Sequence, residues 1–195
     1  MKTTIIYAHP LRDGHNALIL QKIETELKEK KEKYEVLDLY KMKYDPVFTA
    51  EELNRGGKKV ISPINKKLQD TIQKSDNLIF IYPIWWNSPP AILKGFIDRV
   101  FSAGFAFKYT KTTLGTRPIG LLKGKKALVY TTSGGPNFFF KYFAGSRGSK
   151  VVAKDTLGFC GIKTKAFHYG NATKVTPNTE KKLEKLVKKG INAIY

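Results

Sequence analysis

NLIFIYPIWWNSPPAILKGFIDRVF, residues 77–101, holds in one line the signals that decide the fold. Asn77 to Tyr82 is a continuous apolar run, the pattern of a strand buried on both faces. Pro83 to Ser88 is an extended loop that carries both tryptophans of the chain, Trp85 and Trp86, side by side. Pro89-Pro90 opens a helix in which Ile92, Leu93, Phe96, Ile97, Val100 and Phe101 form a broad apolar face. A fully buried strand followed by a helix is the building unit of a parallel sheet with crossover helices.

Working outward, the same alternation recurs. Thr3 to Ala8 is a β-rich run. From Asn16 to about Lys31, Ala17, Leu20, Ile23 and Leu27 fall at helical spacing. Tyr34 to Leu39 is a second strand, and residues 40–60 read as an irregular connection with a short helix. Ser62-Pro63 caps and opens a helix that runs to about Lys74. Residues 102–124 are a long aromatic and glycine-containing excursion. Ala127 to Thr132 and Lys163 to Tyr169 are the fourth and fifth strands. Thr176-Pro177 opens a last helix with Leu183, Leu186, Val187 and Ile194 on one stripe. These elements predict an α/β fold over 1–195 as one domain. It is a doubly wound five-stranded parallel sheet in the order 2-1-3-4-5, with helices on both faces.

Composition narrows the function classes. The chain has 195 residues, 42% hydrophobic and 26% charged, as in a globular protein. No apolar stretch is long enough for a membrane-spanning helix, and the N-terminus lacks the apolar core of a secretory signal. One cysteine, Cys160, reads as a small buried residue, and the expected location is the cytoplasm. Net charge is +19 from 35 basic residues, only five of them arginine. Such a surface attracts anions. The lysines are dispersed and no nucleic-acid motif appears, so no nucleic-acid partner is expected. His9, His15 and His168 lack ligand spacing, so no metal site is expected.

In a doubly wound sheet, ligands sit beyond the carboxyl ends of the strands near the switch point. Three loops meet there. The first, Ala8 to Asn16, ends at a helix N-terminus that favours an anion, with His9, Arg12, His15 and Asn16 as possible donors. Asn16 alternatively reads as the helix cap. It has no G-x-G-x-x-G and no P-loop spacing. The second, Tyr82 to Pro90, offers an aromatic wall for a planar ligand. The third, Thr131 to Asn137, has Gly134-Gly135, where backbone N–H groups can approach a ligand closely. Together they suggest a site for a phosphate and a flat ring system.

The stretch Pro83 to Phe101, the Ala8-His9-Pro10 start with Asn16, the Thr132-Ser133-Gly134-Gly135 loop and Phe159-Cys160-Gly161 occur in one order. In these segments the chain resembles the flavodoxin-like NAD(P)H:quinone oxidoreductases, the DT-diaphorase-like family in its small bacterial type. The resemblance covers nearly the whole length and implies a flavin enzyme. His9, His15, Asn16 and Ala17 would surround the flavin phosphate and ribityl chain. Pro83, Ile84, Trp85, Trp86 and Asn87 would line the isoalloxazine. Thr132, Ser133, Gly134 and Gly135 would meet its polar edge. It further implies a homodimer in which Phe107 and Tyr109 reach the partner's flavin. The implied chemistry is ping-pong: a hydride passes from NAD(P)H to the flavin, then to a quinone, azo or nitroaromatic acceptor.

Two departures stand out. Some relatives place a tyrosine and a histidine after the glycine loop, where this chain reads Asn137 to Ser146 with four phenylalanines. No protein acid is assigned, and Tyr142 is a weak candidate. The aromatic segment reads equally as a packed lid or as a narrowed acceptor pocket. The family's longer C-terminal extension is not matched, which favours FMN, with FAD possible. A second function class is a regulatory flavoprotein subunit of a potassium efflux system, as some relatives are. A flavodoxin-type electron carrier fits the basic charge poorly.

Overall fold

The computed structural model describes residues 1–53, 60–113 and 115–195. Five strands form one all-parallel sheet: β1 (Lys2–Tyr7), β2 (Lys33–Asp38), β3 (Asn77–Pro83), β6 (Lys126–Thr132) and β7 (Lys163–Tyr169). Their order is β2-β1-β3-β6-β7, the flavodoxin-like 2-1-3-4-5 arrangement expected from the sequence. The helices are α1 (Gly14–Glu29), α2 (Pro63–Gln73), α3 (Ala91–Val100), the short α4 (Arg147–Lys150) and α5 (Pro177–Ile191). A π-helical stretch, Val151–Gly158, continues α4.

The sheet is buried on both sides. Every residue of β3 is buried. Its side chains alternate between two cores, as a period of two requires. Ile79 and Ile81 join Ile19, Ile23 and Leu27 of α1 and Leu183, Val187 and Ile191 of α5. Leu78, Phe80 and Tyr82 join Leu68 and Ile72 of α2, Leu93 and Phe96 of α3, and Val152 and Leu157 beyond α4. Two helix starts follow the expected chemistry. Ser62 Oγ accepts the Asn65 N–H, and Thr176 Oγ1 accepts the Thr179 N–H, each with proline just behind.

Three regions add detail to the expectations, and one of them corrects an expectation. The excursion at 102–124 contains an antiparallel hairpin, β4 (Phe107–Thr112) with β5 (Gly115–Gly120). Both strands are largely solvent-exposed, so no hydrophobic alternation marks them. Second, Asn16 is not the cap of α1. The cap position is Asp13, and its side chain caps no N–H. Third, the short helix expected in the connection at 40–60 is present as a 3₁₀ turn, Ala50–Glu52, and residues 54–59 lie outside the described residues.

That connection is anchored by a buried ion pair. Arg99 of α3 donates from Nε to Glu52 Oε1 at 3.1 Å and Oε2 at 2.9 Å. Glu52 also accepts from Asn65 Nδ2 at 2.9 Å, and Asn65 Oδ1 accepts the Tyr44 hydroxyl at 2.8 Å. Arg99 also reaches the Asp45 carbonyl. The network joins α2, α3 and the chain after β2, which holds the apolar face of α3 against the sheet.

Candidate functional site

The loops after β1, β3 and β6 converge at the carboxyl edge of the sheet. They enclose a cavity of about 290 Å³ lined by His9, His15, Asn16, Pro83, Ile84, Trp85, Thr132, Ser133 and Gly134. Asp13, Gly14, Ala172 and Thr173 complete its wall. A larger cavity, about 580 Å³, lies elsewhere, between Phe48, Ile97, Phe101, Phe107 and Phe159. It is mainly apolar and draws on none of the three loops. The smaller cavity is the candidate site, because polar groups and backbone converge on it.

Each wall has a local cause. In the first loop, the Tyr7 hydroxyl donates to Leu11 O at 2.8 Å, and Arg12 pairs with Asp38 at 2.7 Å while lying over the Tyr7 ring. Arg12 is thereby turned to Asp38 and is not among the cavity-lining residues. Asn16 Nδ2 donates to Thr132 Oγ1 at 2.9 Å, tying α1 to the end of β6. In the second loop, Trp85 and Ser88 exchange both backbone hydrogen bonds at 3.0 Å. Trp86 and Asn87 at the turn have φ of 50° and 56°. Asparagine tolerates this left-handed region, whereas tryptophan adopts it at a cost. The tight turn puts Trp85 on the cavity wall and leaves Trp86 99% exposed at its tip.

The third loop is zipped to the chain after β7. Ser133 N–H donates to Tyr169 O, Ala172 N–H to Ser133 O and Asn171 N–H to Gly135 O. Gly170 lies so close that an added Cβ would meet Gly135 O at 2.6 Å and Asn137 N at 2.7 Å. That contact requires glycine. Gly134 and Gly135 differ: an added Cβ would meet nothing within 4 Å. Packing within the described residues does not require glycine there, and Gly134 borders the cavity.

The remaining candidates lie apart from this cavity. Ala17 borders a separate groove along α1, with Gln21 and Glu24. Asn87 and Gly135 line an adjoining cavity of about 210 Å³, with Ile84, Ser133, Gly134, Phe139 and Phe140. Asn87 Nδ2 donates to Ala144 O at 3.2 Å, tying the tryptophan turn to the aromatic segment. Phe107 packs edge-on against Phe159 at 5.0 Å, and Tyr109 is exposed on the hairpin. Tyr142 is exposed beneath Lys141 and lines neither cavity.

The aromatic segment is largely exposed at Phe138, Phe139, Tyr142 and Phe143. Phe140 is buried as packing, while Phe139 and Phe140 wall the adjoining cavity.

The sequence reading missed His168 as part of this region. It reaches from β7, with Nδ1 2.9 Å from Thr131 Oγ1 and Nε2 3.1 Å from Ser133 Oγ. Its ring stacks on Phe140 at 3.7 Å. Burial pushes its pKa down to about 4. Its unfolded value is near 6.5, so the unfolded chain binds more protons between those two values. Stability from neutral His168 is therefore present above pH 6.5 and is lost as pH falls toward 4. Melting temperature should drop over that window, and His168→Gln should flatten the drop. An equally steep drop in the variant would contradict this assignment.

Polar atoms in this region lack partners. His15 Nε2, Asn16 Oδ1 and Asn87 Oδ1 are buried and make no hydrogen bond with the described residues. Such groups cost free energy unless a ligand or water satisfies them. The uncapped first turn of α1 adds free N–H donors. A flavin fits this set: an anion at α1, hydroxyls on Asn16, and a flat ring against Trp85, Ile84 and the open glycines. Among the described residues, no group of three His, Cys, Asp or Glu could hold a metal. No helix among them is long and apolar enough to cross a membrane.

Comparison with known proteins agrees with this geometry. The family model Flavodoxin_2, described as a flavodoxin-like fold, matches residues 1–191. An uncharacterized NAD(P)H oxidoreductase of Haemophilus influenzae is 33% identical over 170 residues, covering 86% of this chain and 82% of that protein. The ribosyldihydronicotinamide dehydrogenase [quinone] of Pongo abelii is 30% identical over 208 residues, covering 93% and 86%. The crystal structure of Smu.1420 from Streptococcus mutans superposes with a TM-score of 0.83 at 36% identity, covering 98% and 100%. By its sheet order, its switch-point cavity and these matches, the chain belongs to the Flavodoxin_2 family of flavodoxin-like proteins.

Proposed function

We propose that this protein is a flavin-dependent NAD(P)H oxidoreductase that reduces quinones or related azo and nitroaromatic acceptors by two electrons in a ping-pong cycle. The observation that carries the reading is the switch-point cavity with its partnerless His15 Nε2 and Asn16 Oδ1 and its open Gly134, and the partnerless Asn87 Oδ1 in the adjoining cavity. The names of the relatives, NAD(P)H oxidoreductase and quinone dehydrogenase, support the same activity.

FMN is the proposed cofactor, with FAD as the comparison in any binding test. When bound, a flavin accepts a hydride from a nicotinamide and passes it to a second substrate. The chain's own residues supply position. The α1 N-terminus and His15 hold the anionic end, and Asn16 orients the adjacent hydroxyls. Trp85 and Ile84 flank the ring. The Gly134 and Gly135 N–H groups, which have no partner among the described residues, offer hydrogen bonds to its polar edge. Phe139 and Phe140 exclude water from the adjoining space where a planar acceptor would lie.

The proposed assembly is a homodimer in the cytoplasm. The exposed Trp86, Tyr109 and Tyr142 fit contacts to a partner's site. Residues 1–195 would act as one flavin-binding domain.

Initial-rate kinetics test the cycle. Varying NAD(P)H at several fixed quinone concentrations should give parallel double-reciprocal lines. Intersecting lines would mean a ternary complex and would defeat the ping-pong assignment. Gly134→Val tests the ring position. The backbone at Gly134 is not left-handed and a Cβ meets nothing, so the fold should tolerate valine. Its methyl groups would intrude on the ring at about 1–3 kcal/mol, weakening flavin binding roughly tenfold to hundredfold. Unchanged affinity in a folded variant would place the ring elsewhere.

A further inference from the structure

His15 does more than border the cavity. The residue is 8% exposed, and its Nε2 is buried without a partner at the start of a sixteen-residue helix. Its ring stacks on Tyr169 at 5.6 Å, which fixes its plane. The Lys174 backbone beside the ring raises its pKa against the effect of burial. Nε2 is the ring nitrogen that is buried without a partner. In a neutral imidazole one nitrogen carries the proton and the other a lone pair, and the hydrogen bond selects which. A neutral ring with its proton on Nδ1 has a bare lone pair at Nε2, beside the cavity that His15 lines. A lone pair repels a phosphate oxygen, whereas an N–H at the same atom binds it.

We propose that His15 takes up a proton from solvent at Nε2 when a phosphate monoester binds at the α1 N-terminus, so that cofactor binding is coupled to protonation. This rests on the flavin reading and specifies how the anionic end is held. Burial keeps the free ring neutral by lowering its pKa, with the Lys174 backbone opposing. A phosphate dianion beside the ring acts in the other direction, raising the pKa by about 1–3 units.

The titratable and charged groups around the ring are few. Asp13 precedes it on the same helix start and favours the charged ring. His9 lies across the cavity in the first loop. Tyr169 stacks on it from the end of β7, and Lys174 meets it through its backbone from the loop before α5. The walls from β3 and β6 contribute no charged side chain. Arg12 is engaged with Asp38.

Calorimetric titration of the full, flavin-depleted chain with FMN provides the test. It is run near pH 7.5 in two buffers of different ionisation enthalpy, with riboflavin as the control that lacks the phosphate. The phosphate is already a dianion there, since its second pKa is about 6. The expected result is net uptake of up to about one proton per FMN, none with riboflavin, and none with FMN in His15→Gln. Affinity for FMN should also weaken by up to roughly tenfold per pH unit between pH 6.5 and 8.5, and this slope should vanish in the variant. FMN binding without proton uptake in the unaltered chain would overturn the proposal and leave the flavin reading intact. Uptake that persists in His15→Gln would also overturn it, because the proton would reside elsewhere. Absence of binding by either flavin would remove the flavin reading and this proposal together.

Discussion

Glu52→Ala is expected to destabilise the protein by about 3–5 kcal/mol, lowering the melting temperature by on the order of 10 °C. Arg99 and Glu52 are 8% and 7% exposed as side chains. Removing the carboxylate leaves a guanidinium buried with, among the described residues, the Asp45 carbonyl, the exposed Asp45 carboxylate and the Tyr44 ring nearby. It also frees Asn65 Nδ2. A buried charge that loses its partner costs far more than the pair contributes. The double variant Glu52→Met with Arg99→Met should therefore be less damaged than Glu52→Ala alone. Equilibrium denaturation of the three proteins measures this. A double variant less stable than Glu52→Ala would contradict the desolvation account.

The second large effect concerns binding and should leave the fold intact. Asn16→Asp puts a carboxylate at the start of α1, where the helix dipole welcomes it. The Thr132 hydroxyl can donate to that carboxylate, so the tie to β6 survives with the roles of donor and acceptor exchanged. A phosphate is then opposed by a like charge. At about 5 Å and an effective dielectric near 20, the repulsion is on the order of 3 kcal/mol per unit charge, or more than a hundredfold in affinity. Flavin retention should fall by at least that factor while the melting temperature stays near the original. Full retention of flavin in Asn16→Asp would contradict the placement of the phosphate.

How much of this could be read from residues alone depended on whether the signal was local. Asn77 to Tyr82 is apolar throughout because both faces of β3 are covered, and that run specified a parallel sheet directly. The switch-point loops followed from topology, and eleven of the proposed contacts, His9 through Gly135, line the two adjoining cavities. The hairpin β4–β5 was invisible because its exposed strands have no apolar face to pattern. His168 was invisible for a different reason. It lies thirty-five positions from Ser133, and only the pairing of β6 with β7 brings the two together. Ala172 and Thr173 could have been anticipated, since they follow the fifth strand at the same edge of the sheet. Trp86 and Ala17 fall outside the cavity because of turn and helix geometry: the left-handed turn at 86–87 and the 100° step between Asn16 and Ala17. Neither is encoded in residue type.

The most direct test of the central claim is an absorbance spectrum of the purified protein supplied with FMN and freed of excess. It is recorded under nitrogen before and after NAD(P)H and again after a quinone. A bound-flavin spectrum with maxima near roughly 375 and 450 nm, bleached by NAD(P)H and restored by the quinone, is the predicted result. If neither FMN nor FAD remains bound, or if bound flavin is untouched by NADH and by NADPH, the cavity does not perform the proposed chemistry.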